Sequence, residues 1–92
     1  MLITLRQLQY IAAVAETGSF SKAAELCNAD QSTVSQQIKI LESKLNIVIF
    51  NREFQPIVLT PEGAEVAEKA KEILDKVEDL LKPFKISPKK YQ

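Results

Sequence analysis

The sequence predicts a mainly α chain in which three helices and a small β-hairpin are followed by one long helix. Three observations carry this expectation. Apolar residues recur at helical spacing between Leu5 and Leu45, two short β-branched runs flank a polar turn at Pro56, and an amphipathic stretch runs from Pro61 to Lys82, where Pro83 stops it.

The first helix is expected over Leu5 to Thr17. Thr4 and Gln7 have the spacing of a capping box, Leu5, Leu8, Ile11, Ala12 and Ala15 share one face, and Gly18 supplies a left-handed stop. Ser21 is the expected N-cap of a short second helix, in which Ala23, Ala24 and Cys27 are small enough for close crossing. A turn follows at Asn28 to Asp30. Asp30 is expected to cap a third helix with Val34, Ile38, Leu41 and Leu45 on its buried stripe, and Asn46 stands where a C-terminal cap is needed.

Ile47 to Phe50 and Ile57 to Leu59 read as the two strands of a hairpin. Thr60 and Pro61 form an N-cap followed by proline at the first helical position. In the long helix, Val66, Ala70, Ile73, Val77 and Leu80 are spaced 4, 3, 4 and 3, which is a heptad seam, and Ala67, Leu74 and Leu81 broaden it. A lone helix cannot bury such a stripe, so a partner helix is expected. Glu65/Lys69, Glu72/Lys76 and Glu78/Lys82 are i,i+4 pairs in the favourable order. Residues 83–92, with Pro83 and Pro88 and no periodicity, are expected to form a tail or the start of a hinge.

Composition narrows the function. The 92 residues suffice for one compact domain, and no apolar run reaches the roughly 20 residues of a membrane span, so a soluble, cytoplasmic chain is expected. Cys27 has no second cysteine to pair with and reads as a small core residue rather than a redox switch. With no histidine, no metal-ligand cluster and no glycine-rich loop, neither an enzyme, nor a metal site, nor a cofactor is expected. The formal net charge is zero, with Arg6, Lys22, Lys39, Lys44 and Arg52 balanced by Glu16, Glu25, Asp30, Glu42 and Glu53 in residues 1–60. Any basic face must therefore be assembled by folding.

A helix-turn-helix needs a small residue at the helix crossing, a turn-former about four residues on, and apolar residues seating the second helix. Ala24, Asn28, Val34 and Ile38 satisfy those demands. The third helix then turns Gln31, Ser32, Ser35, Gln36 and Lys39 outward, side chains suited to base edges and phosphates in a major groove. Such a face is also what any solvated helix offers. Thr33 reads as local helix support, and Tyr10, Phe20 and Phe50 as core.

The stretch SFSKAAELCNADQSTVSQQIKILESKLNIVIFNR, followed by IVLTPEG, resembles the N-terminal region of LysR-type transcriptional regulators. It carries their A-A, Q-x-x-[VL]-S-x-x-I-x-x-L-E, L-F-x-R-like and L-T-x-x-G patterns at fixed spacing over about residues 5–81. The resemblance implies a winged helix-turn-helix DNA-binding domain over 1–60 and a linker, or dimerisation, helix over 61–82. It further implies that Gln31, Ser32, Ser35 and Gln36 face bases while Lys39 and Arg52 approach the DNA backbone. For Arg52 the alternative is an internal salt bridge with Glu53 or Glu42, and for Lys39 a plain solvated lysine.

This chain departs from the family pattern at Asp30, where serine is usual, at Gln36 and Gln37, where Arg or His is common nearby, at Asn46, where glycine is usual, and in a wing reading Phe54-Gln55-Pro56 without a cation. The implied assembly is a homodimer through the linker helix, with a tetramer open to a full-length bacterial parent, on an inverted-repeat double-stranded operator. A rival expectation of another class is a helical interaction protein that dimerises with, and antagonises, a full-length regulator through residues 61–82.

Overall fold

The computed structural model describes residues 3–86, so the end of the tail expected over 83–92 lies outside the described residues. Helices α1 (Leu5–Thr17), α2 (Phe20–Cys27) and α3 (Gln31–Leu45) are followed by strands β1 (Phe50–Asn51) and β2 (Val58–Leu59). Helix α4 (Pro61–Leu81) comes next, continued by a short 3-10 turn over Lys82–Phe84. The strands pair antiparallel, Phe50 opposite Leu59 and Asn51 opposite Val58. The result is a three-helix unit with a hairpin wing and a projecting rod.

Local chemistry accounts for the boundaries. The Thr4/Gln7 capping box forms, and Gly18 closes α1 at φ 68°. Asn28 and Asn46 close α2 and α3 in the same left-handed region, at φ 53° and 57°, which asparagine tolerates better than most side chains. Helix α2 begins earlier than its sequence suggests. Ser19, not Ser21, accepts from the Lys22 amide, because starting the helix at Phe20 turns that ring inward, where it meets Phe50 edge-on at 6.1 Å. Asp30 occupies the N-cap position of α3 without a side-chain hydrogen bond, leaving only its carbonyl to accept from the Val34 amide. Its carboxylate is therefore not the cap that the sequence suggests.

The core gathers Ile11 and Val14 of α1, Ala23 and Cys27 of α2, Val34, Ile38 and Leu41 of α3, and Ile49 and Phe50 at the start of the wing. Burial of side chains of this size contributes about 1.5–3 kcal/mol each for the larger ones. Burial also raises the Cys27 thiol above the ordinary thiol range, an effect the Arg6 charge only partly offsets, so Cys27 is a core residue with little thiolate character. No helix among the described residues is long and apolar enough to cross a membrane.

Helix α4 packs on α1, and this divides the expected heptad seam. Ala70 is 1% exposed within one chain, and Val66 and Ala67 lie half-buried on the same core. Ala70 therefore cannot be a seam residue facing a second chain. Beyond it, Ile73 and Leu80 are 40% and 65% exposed, and Phe84 extends the outward stripe. The expected i,i+4 ion pairs are replaced by exposed i,i+3 pairs, Lys69 with Glu72 and Lys82 with Asp79, which contribute little to stability.

At Gly63, α4 crosses the segment before the wing with no room for a side chain. A Cβ built there would stand 1.9 Å from the Ile49 carbonyl oxygen. That carbonyl already accepts from the Thr60 amide at 2.9 Å, so it is held in place. Gly63→Ala is expected to destabilise the chain by more than about 2 kcal/mol, whereas Ala64→Gly, at the exposed neighbouring position, costs about 1 kcal/mol. Urea unfolding of the two variants checks this; equal losses would show that the crossing relaxes freely.

Candidate nucleic-acid interface

Helix α3 presents two faces. Val34, Ile38 and Leu41 are buried, while Gln31, Ser32, Thr33, Gln36 and Lys39 are exposed and Ser35 is half-buried at the margin. The structure thus brings five of the six residues expected to meet DNA, all of those on α3, onto one outward side. Thr33 shares it.

The middle of α3 is held by an amide link that the sequence does not announce. Gln7, 4% exposed, accepts from the Thr4 amide through Oε1 and donates from Nε2 to Gln37 Oε1 at 3.1 Å. The capping residue of α1 is therefore also a strut to α3. A buried amide with both ends satisfied stabilises one geometry, because leaving either end unpaired costs about 1–3 kcal/mol.

Glu42 holds the C-terminal end of α3. Its Oε2 accepts from the Ile49 amide at 2.7 Å and from the Phe50 amide at 3.4 Å, joining the end of α3 to the start of the wing. Its Oε1 lies 3.6 Å from Arg52 Nη2. A signal for this role exists in the sequence: Glu42 follows Ile38 by four and Val34 by eight residues, so an anion falls on the flank of an apolar stripe.

Arg52 is turned into the fold. Its Nη1 donates to Ser35 Oγ at 2.9 Å, its guanidinium carbon sits 4.5 Å from the centre of the Phe20 ring, and Nη2 is buried beside Glu42. The internal pairing weighed for Arg52 is thus present, with Glu42 as its partner. An Arg52 released to a phosphate would leave the 15%-exposed Glu42 side chain without its cation, a costly exchange. Lys39 is exposed and remains directed at solvent.

The wing is braced from behind. The Ile57 amide donates to the Gly18 carbonyl at 2.9 Å, and Thr60 Oγ1 donates to the Val48 carbonyl while accepting from the Gly63 amide. The Gln55–Pro56 peptide is cis. Phe54, 54% exposed, stands in the turn of the wing. Between α3 and β1 lies a groove of about 410 Å³ lined by Lys39, Arg52, Asn51 and Thr60, but also by Glu42 and Glu53. Its charges balance, so it does not favour an anion. Among the described residues, no group of three or more side chains could hold a metal ion.

Residues 5–64 match the model of the bacterial regulatory helix-turn-helix proteins of the lysR family. The chain is 40% identical over 78 residues to the HTH-type transcriptional regulator YcgK of Bacillus subtilis (strain 168), an alignment covering 85% of this chain and 24% of YcgK. It spans about a quarter of the length of the curated relatives it matches. Among solved structures, the DNA-binding domain of BenM in complex with benA site 1 DNA superposes with a TM-score of 0.84 at 36% identity, covering 90% of this chain and 93% of that one. Vibrio fischeri DarR, solved with DNA, gives a TM-score of 0.83 at 28% identity, covering 92% of this chain and 29% of that one. On the match over most of its helical unit and the fit to the BenM domain along nearly its whole length, the chain belongs to the lysR family of bacterial regulatory helix-turn-helix proteins.

Proposed function

We propose that this chain is the DNA-reading part of a bacterial transcriptional regulator, binding double-stranded DNA with α3 in the major groove and the wing beside it. The observation that carries the reading is the outward side of α3, where Gln31, Ser32, Gln36 and Lys39 are exposed on a helix fixed at its middle by Gln7 and near its C-terminal end by Glu42. Rigid presentation matters because base edges are read only by side chains held in register. That the similar BenM domain and DarR were solved bound to DNA supports DNA binding by this chain.

Gln31 and Gln36 match the bidentate donor-acceptor pattern of adenine, which favours A·T-rich half-sites. Lys39 is the cation on this face, and its role is backbone approach. With no net charge, the chain neutralises few phosphates, so affinity falls gently with salt and depends on two copies binding together. The outward stripe Ile73, Val77, Leu80 and Phe84 is the dimerisation surface in this reading, with Ala70 and most of Val66 supporting it from inside the monomer. Two-fold pairing would set the two copies of α3 one DNA turn, ~34 Å, or a multiple apart on an inverted repeat.

Selection from random duplexes followed by anisotropy titration tests the reading. Gln31→Ala and Gln36→Ala should each weaken the selected site by about 5-fold or more with melting unchanged, since both side chains are exposed. Unaltered affinity in both would overturn it, and survival of DNA binding alongside loss of a protein partner would favour the antagonist alternative.

Asp30→Ser should raise affinity at low salt, by removing an anion near the phosphates, and leave the unfolding midpoint where it was, because no side-chain cap is lost. Unchanged affinity would argue that Asp30 faces away from DNA, and a weaker complex that its carboxylate makes a favourable contact. Ile73→Glu combined with Leu80→Glu should shift sedimentation to a monomer and abolish tight binding to the inverted repeat. Tight operator binding by that monomer would sink the dimer.

A further inference from the structure

We infer that Arg52 is a positioning residue that fixes the Ser35 hydroxyl as a hydrogen-bond donor, so that the base opposite Ser35 is chosen for an acceptor. The inference rests on the DNA-binding reading above and names what one position of the recognition helix selects.

The chemistry begins with what each group is able to do. A guanidinium only donates, whereas a hydroxyl has one proton to give and lone pairs to accept with. Arg52 Nη1 donates to Ser35 Oγ at 2.9 Å, so that oxygen is accepting. The hydroxyl proton must point elsewhere, and among the described residues no hydrogen bond takes it. Ser35 is half-buried beside the exposed Gln31, Ser32 and Gln36, so the open direction for that proton is the outer side of α3.

Arg52 is held in this task from three sides. Its plane lies over the Phe20 ring at 4.5 Å, Nη2 is buried 3.6 Å from Glu42 Oε1, and Glu42 is itself tied to the Ile49 and Phe50 amides. Such a fork-shaped, three-way fit suits arginine and not lysine, whose charge is a single point on a flexible stem. Neutral serine pairs with donors and acceptors alike in the major groove. With one lone pair already facing a cation, Ser35 favours purine N7, guanine O6 or thymine O4 over the exocyclic amines of adenine and cytosine.

The test starts from the duplex selected by the full chain. Ser35→Ala identifies the base position whose preference is lost. At that position the acceptor atom is then deleted, with 7-deazapurine for N7, 2-aminopurine for guanine O6, or 5-methyl-2-pyrimidinone for thymine O4. Deletion should weaken the unaltered chain roughly 3- to 10-fold and leave Ser35→Ala unaffected. Arg52→Ala should broaden the bases tolerated at that one position while the slope of log affinity against log salt stays constant, with Arg52→Lys behaving alike.

Should Arg52→Ala fold poorly, the atom-deletion cycle with Ser35→Ala decides without it. A salt slope reduced by about 0.9 in Arg52→Ala would make Arg52 a phosphate ligand and overturn the inference. Preference for an exocyclic amine opposite Ser35, or no position changed by Ser35→Ala, would overturn it as well. A pool in which no duplex is enriched would instead remove the DNA-binding reading on which it rests.

Discussion

The carboxylate of Glu42 is the point at which the reading helix, the wing and the core are tied together. One oxygen accepts from the amides of Ile49 and Phe50, whose side chains are fully buried, and the other faces Arg52. A mostly buried anion is unfavourable unless every lone pair finds a donor, so the segment after α3 is drawn to one path. That path delivers Phe50 to the edge of Phe20, positions Arg52 above it, and sets the Ile49 carbonyl against Gly63. The wing inherits its position from this arrangement and from the Ile57 link to Gly18.

Around that junction, the outward side of α3 is left to do something other than pack. Its polar side chains are short of internal partners by design of the stripe, with Val34, Ile38 and Leu41 on the inside. The two charged residues on this side pull in opposite directions: Asp30 sits at the helix start without capping it, and Lys39 is exposed two turns later. In the proposed DNA-binding reading, specificity comes from amides and hydroxyls more than from charge.

Much of the fold is legible in the amino-acid pattern because the punctuation is strong. Thr4 with Gln7, Gly18, Asn46, and Thr60 with Pro61 each act locally, through bonds to amides within a turn, and local chemistry is what a sequence displays. What escaped is non-local. Ser19 and Ser21 are equivalent caps by pattern, and only the pull of Phe50 on Phe20 separates them. Ala70 fits a heptad seam as well as it fits a packing site, and the presence of α1 beneath α4 decides between them. Glu42 and Gly63 carry weaker signals, an anion beside an apolar stripe and a glycine in a first helical turn, whose meaning depends on Ile49 arriving from elsewhere in the chain.

Anchoring Ala70 and Gly63 inside the monomer makes the projecting rod an axle keyed to its hub. The azimuth of Ile73, Leu80 and Phe84 around α4 is set by the packing of Gly63 on Ile49 and of Val66, Ala67 and Ala70 on the core, so anything that grips the far end is clocked against α3. Because each residue of an α-helix advances the azimuth by about 100°, a single residue gained or lost just after Ala70 would swing the grip to another quadrant and leave the fold of the hub intact. Length in this segment is therefore constrained by angle as much as by reach.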